Sequence, residues 1–150
     1  MALDDHIRIL SGVRLFEGFA QDQLRLLAFG AEAMSIPAGR KLYREDDDAD
    51  SAYIVIRGKV GLYREHEGNR VEVSTGGPGT VLGEMALIAD SRRLTSAEAA
   101  TDAEVLRINR SMFRRILEEY PETAERLRLQ IIEDLQALIM RIEEVGERLG

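Results

Sequence analysis

Apolar residues change their spacing twice along this chain. Over residues 4–29, Ile7, Leu10, Leu24, Leu27 and Ala28 recur at helical intervals, with Gly12 and Gly18 interrupting them, which predicts short helices. From about Ala33 to Asn109 the apolar positions contract into short runs separated by Gly, Pro, Asn and Asp. Those runs predict strands from Ala33 to Ile36, Lys41 to Tyr43, Ala52 to Ile56, Lys59 to Glu65, Arg70 to Ser74, Leu94 to Ala99 and Ala103 to Ile108. His66-Glu67-Gly68-Asn69 reads as a hairpin loop between two of them. After Asn109 helical spacing returns and holds to the end. Many short strands with regular turns predict a sandwich or barrel.

The last segment carries a second pattern. Pro121 can open a helix, where its missing N–H costs nothing. Beyond it, Ile131, Leu135, Leu138, Ile142, Val145 and Leu149 fall at spacings of 4, 3, 4, 3 and 4, a heptad seam of the kind that pairs two helices. Ile132 and Ile139 widen the seam, while Glu133, Arg141, Glu143, Glu144, Glu147 and Arg148 keep the remainder wet. A helix of about 28 residues is roughly 42 Å long and overshoots a small barrel. The seam therefore predicts a parallel homodimer, with only the first turns, Ala124 and Leu127, packing back on the chain.

Composition narrows the chemistry. A chain of 150 residues is expected to form one domain, divided into N-terminal helices (1–30), a β-barrel (31–109) and C-terminal helices (110–150). The net charge of −7 argues against a nucleic-acid partner, which needs clustered Lys and Arg. With no cysteine, thiol catalysis, zinc-thiolate sites and redox switching are excluded. The start Met1-Ala2-Leu3-Asp4-Asp5 is acidic where a signal peptide is basic, and no apolar run approaches the roughly 20 residues of a membrane span. A cytoplasmic protein without a membrane partner is expected. Asp46-Asp47-Asp48-Ala49-Asp50 lacks the glycine and glutamate of a calcium loop, having Ser51 and Arg57 at those places, and reads as a solvated acidic loop. His6 and His66 have no hydroxyl or carboxylate motif around them, so no catalytic residue, metal ligand or enzymatic activity is expected.

One segment does concentrate ligand chemistry. Gly79-Thr80-Val81-Leu82-Gly83-Glu84-Met85-Ala86-Leu87-Ile88, with Arg93 nine residues after Glu84, joins a glycine turn, a carboxylate, a short helix start and a guanidinium. Backbone N–H groups at a helix start meet an anion, Arg adds a forked pair of hydrogen bonds, and an ionised Glu accepts from a sugar hydroxyl. The segment 79–96 resembles the phosphate-binding cassette of cyclic nucleotide-binding domains. Leu15-Phe16-Glu17-Gly18-Phe19 with Leu24, Ile36-Pro37-Ala38-Gly39 with Tyr43, and Ala52 to Val60 around Gly58 are similar to that family's helical entry, first barrel turn and central hairpin. The resemblance covers about residues 13–120.

The resemblance implies an α+β fold, a β-jelly-roll barrel flanked by N-terminal helices and a long C-terminal dimerisation helix. It implies a 3′,5′-cyclic nucleotide ligand, cyclic AMP or cyclic GMP, with no further cofactor. Gly83, Met85, Ala86, Arg93, Leu94 and Thr95 would surround the phosphate, Glu84 would take the ribose hydroxyl, and the C-terminal helix would close as a lid with Leu138 and Ile139 toward the base. The chain departs from the family in three places. Arg92 stands where many members have Pro, Leu94 where a small or hydroxylated residue is usual, and Leu138-Ile139 where catabolite-activator-like regulators carry Thr-Ser. Those regulators continue into a helix-turn-helix domain and this sequence ends at Gly150, so the expected output is an unidentified effector protein or a dimer rearrangement. The expected role is a stand-alone signal-transduction receptor. The alternative is a dimeric interaction module that no longer binds nucleotide.

Overall fold

The computed structural model describes residues 3–149, and side chains as far as Gly146. Two helices come first, α1 (Leu3–Ser11) and α2 (Gln21–Gly30), with a 3-10 turn at Arg14–Phe16 between them. Gln23 folds back to accept the Ala20 N–H at 2.8 Å, which closes the start of α2. Ten strands follow: β1 (Glu32–Ile36), β2 (Lys41–Tyr43), β3 (Asp48–Ala49), β4 (Ser51–Arg57), β5 (Val60–His66), β6 (Asn69–Gly76), β7 (Val81–Leu82), β8 (Ser91–Arg92), β9 (Ser96–Ala99) and β10 (Ala103–Asn109). A 3-10 turn at Glu84–Leu87 separates β7 from β8, and α3 (Arg110–Glu119) and α4 (Pro121–Leu149) end the chain. Pro121 opens α4 as its position predicts.

The strands form two antiparallel four-stranded sheets, β1-β10-β4-β7 and β2-β9-β5-β6, with β3 and β8 as a separate two-stranded ladder. This is the β-jelly-roll with N-terminal helices and a long C-terminal helix that the resemblance implies. The turn between β4 and β5 needs Gly58, whose φ of +84° and 2.3 Å approach of a would-be Cβ to the Asp102 carbonyl leave no room for a side chain.

Strand β4 explains how the layers stack. Ala52, Ile54 and Ile56 join the helices in one core, while Tyr53 and Val55 join the second sheet in another. Because side chains alternate across a strand, β4 is apolar on both faces and reads as one continuous run. Strand β10 repeats the pattern, with Leu106 and Ile108 toward the helices and Ala103 and Val105 toward the roll interior.

Three two-residue strands, β3, β7 and β8, lie outside the predicted set. The acidic run is not wholly a loop, since Asp48 pairs with Arg92 and Ala49 with Ser91, and Ala49 is buried. The predicted strand from Leu94 starts only at Ser96.

The seam on α4 behaves differently from its expected role. Leu127 and Ile131 are sealed in the helical core, and Leu138 and Ile142 pack against the roll. Helix α4 lies across the roll instead of overshooting it, so the stripe meant for a second copy covers this chain's own barrel. Leu149 lies outside the described side chains. The large apolar residues of α4 left facing solvent are Leu129, Ile139 and Met140. Among the described residues, no helix is long and apolar enough to cross a membrane, and no cluster of His, Cys, Asp or Glu is arranged to hold a metal.

Candidate functional site

A cavity of about 410 Å³ opens between the cassette and the inward face of α4, within the roughly 300–1,000 Å³ of small-molecule sites. Its inner wall begins at Gly83, which takes the left-handed conformation at φ 70° and ψ 33°. That bend ends β7 and starts the 3-10 turn, in which the Ala86 N–H donates to the Gly83 carbonyl at 3.1 Å. Ala86 and Leu87 seal the turn against the core.

Arg93 enters from the loop after β8. Its N–H donates to the Asp47 carbonyl at 2.9 Å and its carbonyl accepts from the Asp46 N–H at 2.8 Å, so the acidic loop clamps its backbone. The side chain is 6% exposed. Its guanidinium stacks 4.1 Å above the Tyr43 ring, and Nη2 donates to the Ser51 carbonyl at 2.8 Å. Nε and Nη1 are buried without a partner. Nη1 lies over Gly83, where a Cβ would stand only 2.2 Å from it. Burial pulls the Arg93 pKa down, opposed by the neighbouring tyrosines, and burial pushes the Tyr43 hydroxyl up to about 12 against the pull of Arg93. Arginine stays a cation under such pressure. The result is a buried positive charge with two unpaired donors.

Of the residues expected at the site, Gly83, Glu84, Met85, Ala86, Arg93, Leu94, Thr95 and Leu138 all border the cavity. Arg93 and Thr95 point inward, while Arg92 and Leu94 are exposed at its edge. Ile139 does not border it and is 39% exposed. One position beyond Leu138 is a rotation of about 100° around the helix, which turns Ile139 outward.

Glu84 departs from its expected state. Desolvation and the facing Asp134 carboxyl raise its pKa to about 9, so at neutral pH it is protonated and not the free ion assumed from the sequence. Asp134 comes from α4, where Gln130 Nε2 donates to its Oδ1 at 2.9 Å. Asp134, Leu135 and Arg141 also border the cavity from the helix side, and sequence reasoning missed all three as site residues. The signal was present for Asp134, which stands three residues after Ile131 and four before Leu138 and so falls on the buried stripe.

The Cyclic nucleotide-binding domain family profile matches residues 33–120. A cyclic nucleotide-binding-like protein from Brucella abortus is similar in structure, with a TM-score of 0.70 and 56% identity over 77% of this chain and 99% of that one. The cyclic AMP receptor protein of Thermus thermophilus is 28% identical over 94% of this chain and 68% of its own length. A cAMP-dependent protein kinase regulatory subunit from Eremothecium gossypii is 35% identical over 69% of this chain and 22% of its own. The chain thus spans about two thirds of the first curated relative and under a quarter of the second.

Proposed function

This chain belongs to the Cyclic nucleotide-binding domain family, and we propose that it is a regulatory receptor for cyclic AMP or cyclic GMP whose occupancy repositions α4. The observation that carries this reading is Arg93, a buried cation with Nε and Nη1 unpartnered beside a cavity large enough for a nucleotide. A cyclic phosphate supplies the missing acceptors and the missing charge. Arg93 and the backbone from Gly83 to Ala86 hold the phosphate, with Met85, Leu94 and Thr95 around it, and Glu84 accepts from the ribose hydroxyl.

Leu135 and Leu138 offer the base an apolar surface. Leu94, 40% exposed, gives a purine edge no hydrogen-bonding group. Relatives named for cyclic AMP support that nucleotide over cyclic GMP. A homodimer through α4 would use the outward residues Leu129, Ile139 and Met140, since the inward stripe is occupied, and the effector would be a further protein.

Removing Arg93 tests the reading. Leaving a buried charge unpaired costs about 2–5 kcal/mol, so Arg93→Ala is expected to weaken cyclic nucleotide binding by roughly two orders of magnitude or more. Near-wild-type affinity in calorimetry would refute the assignment.

A further inference from the structure

We propose that Glu84 and Asp134 form a proton-sharing clasp that holds α4 across the cavity in the nucleotide-free chain, so that nucleotide and clasp compete for the same carboxyl group. This rests on the receptor reading of the cavity and changes what binding does to the helix: the lid is already down, and the ligand must displace its catch.

The geometry begins with the rotation of α4. Leu127 and Ile131, 1% and 0% exposed, lock the helix against the core. Residues three and four apart share a helix face, so Asp134 follows Ile131 onto the inward face, and Leu138 continues it. Glu84 and Asp134 border the same cavity from opposite walls, and the Asp134 carboxyl stands close enough to add to the burial that raises the Glu84 pKa. Gln130 occupies Oδ1 of Asp134 at 2.9 Å, which orients the carboxyl group and leaves the other oxygen for Glu84.

A half-buried carboxyl group facing a second one resists ionising, so Glu84 keeps its proton while α4 presents Asp134 to it. The other charged and titratable groups bordering the cavity are Tyr43 from β2, Arg92 and Arg93 at β8, and Arg141 on α4. Arg93 is held by Ser51 and Tyr43. Among the described residues, neither Glu84 nor Asp134 is in an ion pair. The Glu84 pKa near 9 fits a clasp that is intact in mild acid and opens as pH rises toward that value. Opening delivers an ionised Glu84, the form that accepts from a ribose hydroxyl.

The test uses the full chain with Asp134→Ala and Asp134→Asn. Asn can donate from Nδ2 to the Glu84 carboxylate, so it keeps the contact and removes its proton dependence. The natural chain has no cysteine, so Glu67→Cys and Met140→Cys, both exposed, place spin labels on the hairpin and on α4. Without nucleotide, the label-to-label distance should lengthen or broaden between about pH 6 and about pH 8.5 in the parent, stay long in Asp134→Ala and stay short in Asp134→Asn.

Calorimetry with cyclic AMP should show parent affinity rising by up to about tenfold per pH unit. Asp134→Ala should bind about tenfold or more tightly than the parent in mild acid, and neither variant should retain the pH slope. Identical distance distributions in all three proteins at both pH values would overturn the clasp. Nucleotide binding that ignores both pH and Asp134 would overturn it while leaving the receptor reading intact. Labels that respond as expected in a chain that binds no nucleotide would support the clasp and end the receptor reading.

Discussion

Gly83 and Arg93 define one another. At φ +70° with Nη1 of Arg93 2.2 Å from a would-be Cβ, any larger residue at 83 displaces the guanidinium as well as straining the backbone. Gly83→Ala is expected to lower stability by about 1–3 kcal/mol and to cost nucleotide affinity on the order of Arg93→Ala. Thermal unfolding and calorimetry check this, and wild-type affinity would contradict it. Glu84 sets a pH dependence whose sign follows from its raised pKa. The folded chain holds the Glu84 proton from the ordinary carboxyl value of 4.5 up to about 9, where the unfolded chain has released it. Its stabilising contribution is complete below about 4.5 and lost as pH climbs through about 9. Glu84→Gln stays neutral throughout, so its melting temperature should gain on the parent as pH rises, and a constant difference across that range would contradict the burial. The pair Glu84 and Arg93 was legible from nine-residue spacing behind a glycine. Asp134 was passed over although its spacing from Ile131 and Leu138 carried the signal, because a heptad reading assigns acids to the wet face and this one sits on the apolar stripe.

Helix α3 braces the cassette through its first residue. Arg110 Nη1 donates to the carbonyls of Ala49 at 3.0 Å, Ala86 at 3.3 Å and Ala89 at 2.9 Å, while Asn109 caps the helix by accepting the Met112 N–H at 2.9 Å. Arg110→Ala leaves those carbonyls short of a donor, so stability should fall by about 1–3 kcal/mol and nucleotide affinity should fall with it. Unchanged binding and melting would show that the turn needs no brace. The long strands were readable because β4 and β10 are apolar on both faces and stand between turn residues. The ladders β3, β7 and β8 were not, since two residues make no period and their pairing depends on partners far along the chain. The outcome for α4 was missed for a related reason. A heptad stripe specifies an apolar face but not what covers it, and Leu138 and Ile142 are covered by the roll.

Two cores share one sheet, and α4 touches both. Its N-terminal half is fixed by Leu127 and Ile131 in the helical core, whereas its later turns rest on the roll through Leu138 and Ile142. A ligand entering under the second half therefore acts on the part of the helix with the shallower hold, and it can shift that half by no more than the difference in its affinity for the two positions. The outward face is uncovered, with Leu129 at 56% and Met140 at 61% exposed, and it is the face that the proposed homodimer would use. Sedimentation should find a dimer at tens of micromolar that Leu129→Glu with Met140→Glu converts to monomer, and a parent that is already monomeric would remove α4 as a dimer element. Everything proposed for the site depends on whether a cyclic nucleotide binds at all. Isothermal titration calorimetry of the purified, nucleotide-free chain with cyclic AMP and separately with cyclic GMP should give saturable binding at micromolar affinity or tighter for at least one. No heat with either, in protein shown to be folded, would contradict the receptor reading and leave a dimeric interaction module in its place.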